Sequence, residues 1–384
     1  MAVLGNLIEQ VRGVSYKPED LHPTHDENSI ILLRANNIKD GRLNFDEVVY
    51  VDRKKVSDKQ LIRAGDILVC ASSGSKDLVG KAAYVEADLQ MTFGAFCKIV
   101  RPLSECPQYI GHFFNSPYYR ERISNYAAGA NINNIRNEHI DGLEITWPSL
   151  EKRNEAVTIL DKISKLISLR KEQLAKLDEL VKARFVEMFG DINTNDKKWN
   201  SQPLGELCTI VRGGSPRPIE NFLGGDIPWI KIGDATKGDN IYLHTTKEHI
   251  IQDGVKKSRM VKAGSLIFAN CGVSLGFARI ITFDGCIHDG WLAMEDIDAR
   301  IDKVFLLQAL NQMTDHFRRI APAGTQPNLN TAIMKSYVQI IPPMELQKEY
   351  IAFVEQTDKS KLTIQESLDK LEVMKKALMQ EYFG

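Results

Sequence analysis

The sequence contains no apolar run long enough to cross a bilayer, and its start, MAVLGNLIEQ, lacks a basic region followed by an apolar core. We therefore expect a cytoplasmic protein without a membrane segment. The six cysteines lie far apart, with no C-x-x-C pair, which is typical of buried thiols in a reducing compartment. The net charge of -1 provides no general attraction to a polyanion, so a nucleic-acid partner would require basic residues gathered locally.

Motifs for catalysis and for cofactor binding are also lacking. No Gly-rich loop follows a first strand as a nucleotide site requires, and no cluster of paired acids with lysine indicates a nuclease. HPTHDE (His22 to Glu27) combines two histidines with two acids, but we interpret it as a solvated loop rather than a metal site. His288 beside Asp289 in CIHDGW has no nucleophile motif nearby, which favours a turn over a catalytic pair. We predict no catalytic residue, no metal ligand and no cofactor.

The sequence does contain a long internal repeat. EQLAKLDELVKARFVEMFG (172–190) aligns with ESLDKLEVMKKALMQEYFG (366–384) at a constant offset of 194, with nine identities in nineteen positions. LGNLIEQVRG (4–13) aligns with LGELCTIVRG (204–213) at an offset of 200. A unit of about 190 residues has therefore been duplicated, and a period this long indicates two tandem domains rather than a solenoid.

Each repeat changes its pattern near a proline, Pro148 or Pro342. Before it, short β-rich runs such as SIILLRANNIKDG and IPWIKIGDATKGD alternate with Gly, Asn and Asp, which predicts a strand-dominated domain with some helix. After it, Glu151 to Phe189 contains no Gly and no Pro and has apolar residues at alternating spacings of three and four. We predict domains at 1–150 and 191–343 and long helices at 151–190 and 344–384, an α+β fold.

The two long helices each carry an apolar stripe that a lone helix would expose to solvent. Because both belong to one chain and are joined through a globular domain, we predict that they pair as an antiparallel coiled coil with pseudo-twofold symmetry. Arg170 and Arg184 fall at two seam positions. The predicted apolar seam consists of Leu160, Ile163, Ile167, Leu174, Leu177, Val181, Ile364, Leu368, Leu371 and Leu378.

Two variable β-rich domains that alternate with two long, similar helices resemble the DNA specificity subunit of type I restriction-modification systems. The resemblance covers essentially the whole chain, and its most specific pieces are TQPNLN (325–330), IIPPMELQKEYI from Ile340 and GVSLGFARI (272–280). It implies a non-catalytic subunit whose two target recognition domains each read one half of an asymmetric bipartite target. It also implies that the helices set the spacing and dock the partner subunits. The implied partners are double-stranded DNA, two DNA adenine methyltransferase subunits that bind S-adenosylmethionine, and restriction/translocase subunits in a full complex.

The loops SSGSKDLVG (72–80) and NCGVSLG (270–276), together with two amide-rich segments, contain the residue types that such reading requires. Amides, Arg and Lys specify bases, whereas small residues and backbone N–H groups contact phosphate. The candidate DNA-binding residues are Ser72, Ser73, Ser75, Lys76, Asn131, Asn133, Asn134, Asn270, Ser274, Gln326, Asn328 and Asn330. The alternative for these loops is plain hairpins with turn-capping asparagines. The alternative for the whole chain is a duplicated coiled-coil scaffold that binds other proteins, which the near-zero net charge favours.

Overall fold

The structure is a computed structural model that describes residues 1–75, 78–127, 133–236, 238–272, 274–322 and 328–384, without the side chains of Ala127 and Asn133. Contacts divide the chain into two units, Met1–Glu172 with Ile364–Gly384, and Gln173–Thr363. Each unit contains one of the predicted β-rich domains. The long helices, which the sequence predicts as separate segments, are instead divided between the two units.

The first β-rich domain is built around two sheets, with strand orders β10-β8-β12-β2 and β11-β4-β7-β3. Its strands are β1 (Ala2–Val3), β2 (Ile8–Arg12), β3 (Leu21–His22), β4 (Ser29–Leu33), β5 (Ile38–Lys39), β6 (Arg42–Leu43), β7 (Val49–Asp52), β8 (Ile67–Cys70), β9 (Ser72–Ser73), β10 (Ala82–Tyr84), β11 (Met91–Phe93), β12 (Cys97–Pro102), β13 (Asn133–Asn134) and β14 (Glu144–Ile145). Its helices are α1 (Pro107–Phe113), α2 (Pro117–Ala127) and α3 (Asn137–Asp141), and the chain then enters α4 (Leu150–Phe189).

The second β-rich domain repeats this plan, with strand orders β16-β24-β21-β22-β18 and β19-β17-β23-β20. Its strands are β15 (Asn200–Pro203), β16 (Thr209–Arg212), β17 (Leu223–Ile230), β18 (Tyr242–Leu243), β19 (Glu248–Ile250), β20 (Arg259–Val261), β21 (Leu266–Ala269), β22 (Ala278–Ile281), β23 (Gly285–Ile287), β24 (Trp291–Glu295) and β25 (Val338–Ile341). Its helices are α5 (Leu204–Leu207), α6 (Gln252–Val255), α7 (Lys303–Gln312), α8 (Thr314–Ile320) and α9 (Thr331–Ser336), followed by α10 (Met344–Phe383).

The duplication seen in the sequence extends to the sheets. The order β2, β12, β8, β10 matches β16, β24, β21, β22, and the parallel pair β4–β11 matches the parallel pair β17–β23. Strands β8 and β21, which come directly before the two candidate loops, are buried at every residue. Such continuous apolar runs are typical of strands that are covered on both faces. Each domain therefore holds its candidate loop at the end of a central, rigid strand.

The long helices begin and end where the local sequence dictates. Each helix has 40 residues and begins shortly after a proline. Because a proline disfavours helical backbone in the residue before it, the helix does not extend further toward the N-terminus. α4 ends before Gly190, whose φ of +78° is the left-handed conformation that favours glycine after a helix. The amide of Gly190 donates to the carbonyl of Val186, 2.8 Å away, and satisfies one of the last carbonyls. These bounds agree with the predicted 151–190 and 344–384 to within a residue.

In the first unit, the beginning of α4 packs against the end of α10. Leu160 is fully buried in one cluster with Met379 and Phe383, and Lys171 Nζ lies 3.0 Å from Glu372 Oε1. The ring of Phe383 contacts those of Tyr109 and Phe113 at centroid distances of 4.9 and 5.9 Å. Residue numbers rise along one helix as they fall along the other, so the two segments run antiparallel and close the core of this unit.

In the second unit, the end of α4 packs against the beginning of α10 in the same sense. Three contacts order the segments: Asp178 Oδ1 to Lys361 Nζ at 2.7 Å, the Val181 carbonyl to Tyr350 Oη at 3.3 Å, and Arg184 Nη2 to Glu349 Oε1 at 2.8 Å. Arg184 thus lies at the rim of the predicted seam, paired with an acid. Phe189 contacts Phe305 at 4.9 Å and so occupies the place that Phe383 has beside Tyr109.

The predicted seam residues face inward within these packed segments. Leu160, Ile163, Val181 and Leu368 are buried. Ile167, Leu174, Leu177, Ile364, Leu371 and Leu378 are half-buried. Apolar residues outside the predicted stripe are exposed, among them Leu166, Leu180 and Val373. The alternating spacing of three and four therefore separates the inner face of each helix from its outer face.

Candidate nucleic-acid interface

The loop and the amide-rich segment of the first domain lie side by side. Ser72 and Ser73 form β9, which pairs antiparallel with β13, so that Ser73 is opposite Asn133 and Ser72 is opposite Asn134. The amide of Ile135 donates to the carbonyl of Ala71 at 2.8 Å and continues the ladder. Two segments that are about 60 residues apart in sequence are therefore joined at the end of β8.

The second domain repeats this junction with different side chains. The amide of Leu329 donates to the carbonyl of Asn270 at 2.8 Å, and Cys271 pairs with Asn328 in an isolated antiparallel bridge. The Asn270 side chain donates through Nδ2 to Asn328 Oδ1 and to the Leu329 carbonyl, both at 3.2 Å. The same two backbone segments are thus brought together in both repeats.

The candidate side chains differ in what they can reach. Ser75, Asn134 and Asn330 are exposed, whereas Ser72, Ser73, Ser274 and Asn328 are half-buried. Asn330 also caps α9, because its side chain accepts a hydrogen bond from the amide of Ile333 at 2.9 Å. Lys76, Asn131 and Gln326 lie outside the described residues, as does the side chain of Asn133.

Asn270 differs from the expectation that it contacts DNA directly. Its side chain is 0% exposed, so a base edge cannot reach it. Its hydrogen bonds instead hold the amide-rich segment against the end of β21. Asn270 is therefore a positioning residue, and among the described residues of this surface Asn328 and Asn330 have accessible amides.

A third segment, which sequence reasoning missed, borders each loop. The carbonyl of Phe96 accepts hydrogen bonds from the amides of Ala71 and Ser72 at 2.9 and 3.0 Å, and the carbonyl of Gly290 accepts one from the amide of Asn270 at 2.9 Å. The side chain of Phe96 is 70% exposed, which is unusual for a phenylalanine. The repeat offset of 194 places Phe96 on Gly290, and this was the signal that could have identified the segment.

The His288–Asp289 pair forms part of this third segment, in a turn as predicted. His288 Nδ1 accepts from the amide of Gly290 at 2.9 Å, and burial lowers the pKa of its ring. Asp289 accepts a hydrogen bond from the Ser215 hydroxyl at 2.8 Å and one from Arg217 Nη2 at 3.3 Å. Burial acts to raise the pKa of Asp289, but the contacts with Ser215, His288 and Arg217 outweigh it, so that this pKa is lowered and the carboxylate stays charged.

HPTHDE does not gather its side chains around one point. His22 Nδ1 lies 2.8 Å from Asp26 Oδ2, whereas His25 Nδ1 lies 3.0 Å from the Ser29 hydroxyl and its ring stacks on Tyr50. Over the part of the chain that the structure describes, no group of three or more His, Cys, Asp or Glu side chains could hold a metal ion. Within the same ranges, no helix is both long and apolar enough to span a bilayer.

The cysteines are unpaired thiols, and all but the half-buried Cys271 are buried. Burial raises the pKa of Cys70 to about 11 and that of Cys208 to about 12. Because the thiolate is the reactive form of cysteine, these two thiols are unreactive at neutral pH. The expectation of buried thiols agrees with the structure.

Two repeated α+β domains, each with a loop surface at the end of a central strand, and two long antiparallel helices define a class of duplicated, two-domain proteins. The family described as "Type I restriction modification DNA specificity domain" matches residues 23–179 and 196–373. These ranges cover most of the sequence, so the chain belongs to this family of type I restriction-modification specificity subunits, with two target recognition domains.

Individual relatives agree with this membership. The chain is 28% identical to the type I restriction enzyme StySPI specificity subunit of Salmonella potsdam over 367 residues, which cover 90% of this chain and 79% of the relative. It is also 28% identical to the type I restriction enzyme EcoKI specificity subunit of Escherichia coli K12 over 385 residues, or 93% of this chain and 81% of that protein.

Solved structures share the fold. A chain from a study of complex assembly and conformational transition of the type I R-M system has a TM-score of 0.56 and 18% identity, with coverage of 98% of this chain and 97% of that one. The S subunit of a type I restriction-modification system from M. genitalium has a TM-score of 0.55 and 16% identity, with coverage of 100% and 95%. At these identities the likeness concerns the fold alone.

Proposed function

We propose that this chain is the DNA-recognition subunit of a type I complex and performs no catalysis itself. Its two domains read the two halves of an asymmetric bipartite target. DNA adenine methyltransferase subunits, two of them, dock on the long helices and supply S-adenosylmethionine and the methyl-transfer chemistry. Restriction/translocase subunits join them in a full restriction complex.

One observation carries this proposal. The junction between a strand-end loop and an amide-rich segment is built twice, with the same backbone hydrogen bond, Ile135 to Ala71 and Leu329 to Asn270. The exposed side chains around the two junctions differ, from Ser75 and Asn134 in one domain to Asn330 in the other. Two surfaces of one architecture but different chemistry suit two DNA segments of different sequence. A scaffold for other proteins is not favoured, because the family is one of DNA specificity subunits.

Methylome sequencing tests the proposal. The chain is co-expressed with its partner DNA adenine methyltransferase in a host that has no adenine methylation at the sites that the complex would modify. We expect one asymmetric motif of two short segments separated by an unread gap, with half-site centres roughly 10 base pairs apart, because recognition elements on one face of the duplex repeat with the helical turn. The methyltransferase expressed alone is the control and should leave no such motif. A continuous or palindromic motif, or no motif, would refute the proposal.

A further inference from the structure

One more stretch of chain leads toward the candidate loops in both domains, and the repeat preserves its chemistry. At an offset of 200, the stretch VRGVSYKP (11–18) aligns with VRGGSPRP (211–218). Gly13 matches Gly213, Ser15 matches Ser215 and Pro18 matches Pro218. Between this glycine and the proline, each copy has one charged residue, and it is basic in both: Lys17 and Arg217.

A glycine fixes where this stretch crosses the sheet. A Cβ atom at Gly13 would lie 2.1 Å from the carbonyl oxygen of Gly94, and one at Gly213 would lie 2.2 Å from the carbonyl oxygen of His288. No side chain fits at such distances from backbone. The next amide then donates to the facing strand in each copy, Val14 to Phe93 at 2.8 Å and Gly214 to Ile287 at 3.0 Å.

This crossing point is directly linked to the recognition loops. In the first domain, Gly94 lies two residues before Phe96, whose carbonyl accepts hydrogen bonds from the candidate loop. In the second domain, His288 lies two residues before Gly290, whose carbonyl does the same. In the second domain, the contact of Arg217 with Asp289 connects this stretch to Gly290, whose carbonyl holds Asn270. In the first domain, the hydrogen bond from Val14 to Phe93 places the start of the stretch beside Gly94, two residues before Phe96. Neither stretch was among the candidates from sequence.

The basic side chains at this edge are exposed. The Lys17 side chain is 76% exposed, with Glu19 as its partner at 3.6 Å, and the Arg217 side chain is 79% exposed. Arg217 Nη2 donates a hydrogen bond to the Asp289 carboxylate, which also accepts one from the Ser215 hydroxyl. The backbone carbonyl of Asp289 accepts a hydrogen bond from Arg212 Nε at 3.0 Å. The Asp289 carboxylate orients the Arg217 guanidinium while most of it remains open to solvent.

We propose that Lys17 and Arg217 contact DNA phosphates and set the register of each recognition domain on the duplex, an inference that rests on the proposed function. The two domains must read different bases, and their recognition loops differ accordingly in length and sequence. A basic residue that is present in both domains, although the domains read different bases, is expected to make a contact that does not depend on base sequence. Phosphate contacts have this property, and Lys and Arg both make them.

The test uses the assembled complex of this chain with its methyltransferase. It measures the affinity of this complex for DNA that contains the motif found by methylome sequencing, as a function of salt concentration. Removing one phosphate contact should lower the slope of log affinity against log salt by about 0.9, and should weaken binding about fivefold near physiological salt. We expect Lys17→Ala and Arg217→Ala each to have this effect, with the methylome motif unchanged. Arg217→Lys should retain the slope, since the charge remains.

Lys262→Ala is the matched control. The Lys262 side chain is also 79% exposed and also pairs with an acid, Asp284, at 2.8 Å. It precedes β21, at the opposite end of that strand from the recognition loop, so its removal should leave the salt slope unchanged.

Three results would overturn the proposal. If Lys17→Ala and Arg217→Ala keep the wild-type slope and affinity while the wild type still methylates a bipartite motif, the phosphate contacts are refuted and the proposed function stands. If either variant changes a base of its half-site, the residue reads bases rather than phosphate. If the wild-type complex methylates no bipartite motif, the inference fails together with the proposed function.

Discussion

Lys98 occupies a buried position at which the two domains have side chains of different chemistry. Its side chain is 7% exposed, and Nζ donates to Gln10 Oε1 at 2.9 Å and to Asn137 Oδ1 at 2.8 Å. At the matching positions of the second domain, Leu292 and Ile210 are buried apolar residues. The first domain therefore holds the start of α3, three residues after Asn134, with a buried ammonium group where the second domain uses apolar contact.

The buried Lys98 predicts a specific dependence of stability on pH. Burial lowers the pKa of Lys98 from 10.5 to about 8, against the opposing charges of Asp141 and Glu138. The unfolded chain then binds more protons at this lysine than the folded chain between these values, so the contribution of Lys98 to stability rises with pH from about 8 to 10.5. Denaturant unfolding of the wild type and of a variant without Lys98 across this range measures this contribution as a difference.

The double variant Lys98→Leu with Gln10→Ile is the control for this pH dependence. It copies the apolar arrangement of the second domain, and the pH-dependent contribution of Lys98 should be absent from it. Lys98→Leu alone should cost about 1 kcal/mol, because the half-buried Gln10 loses one hydrogen bond, whereas the exposed Asn137 can bond water instead. If the stability of the wild type and that of the double variant change with pH in the same way, Lys98 makes no such contribution.

At the scale of elements, the last residues of each long helix are part of a domain core. Phe383 is 1% exposed and packs on Tyr109, and Phe189 is fully buried and packs on Phe305, both at 4.9 Å between ring centroids. A helix end that only extended into solvent would tolerate truncation. Here the repeated Phe-Gly endings, 189–190 and 383–384, have a packing role that the repeat preserves.

Phe383→Ala tests this role. Loss of a buried aromatic side chain leaves a cavity and should cost about 3–5 kcal/mol. Thermal unfolding should therefore shift strongly, although the residue is next to the end of the sequence. Val373→Ala, at a residue of the same helix that is 70% exposed, should be nearly neutral. Equal effects of the two changes would contradict the buried position of Phe383.

At the scale of the whole molecule, the first unit is discontinuous in sequence. It consists of Met1–Glu172 and needs Ile364–Gly384 to close its core. The segment 172–190 matches 366–384 at nine positions, including the phenylalanine. A chain of residues 1–190 therefore lacks its own closing segment but carries a close copy of it.

We predict that residues 1–190 form a twofold dimer, in which each copy supplies its end of α4 to the other. Two identical recognition domains should then turn the asymmetric target into a palindrome with a similar gap when the fragment is expressed with the methyltransferase. Light scattering and methylome sequencing are the measurements. The fragment with Phe189→Ala should lose the dimer, because Phe189 takes the place of Phe383. A folded, monomeric fragment would refute this account.

Several features followed from the sequence because they depend on local or repeated patterns. The helix bounds follow from Gly- and Pro-free runs between breakers, since helix formation depends on neighbouring residues. The seam follows from the spacing of apolar residues, and the duplicated topology follows from the offsets of 194 and 200. The loops at the ends of β8 and β21 were identified because an apolar run that stops abruptly marks the end of a buried strand.

Other features were decided only by contacts between distant parts of the chain. Asn270 and Asn330 both belong to segments that the sequence predicts as loops, yet the fold buries one and leaves the other exposed. Gly13 and Gly213, which precede the basic residues Lys17 and Arg217, each lie against a backbone carbonyl about 80 residues further along the chain. Neither burial nor proximity of this kind is encoded within a local window, because side-chain neighbours in a sheet come from strands whose pairing the tertiary structure selects.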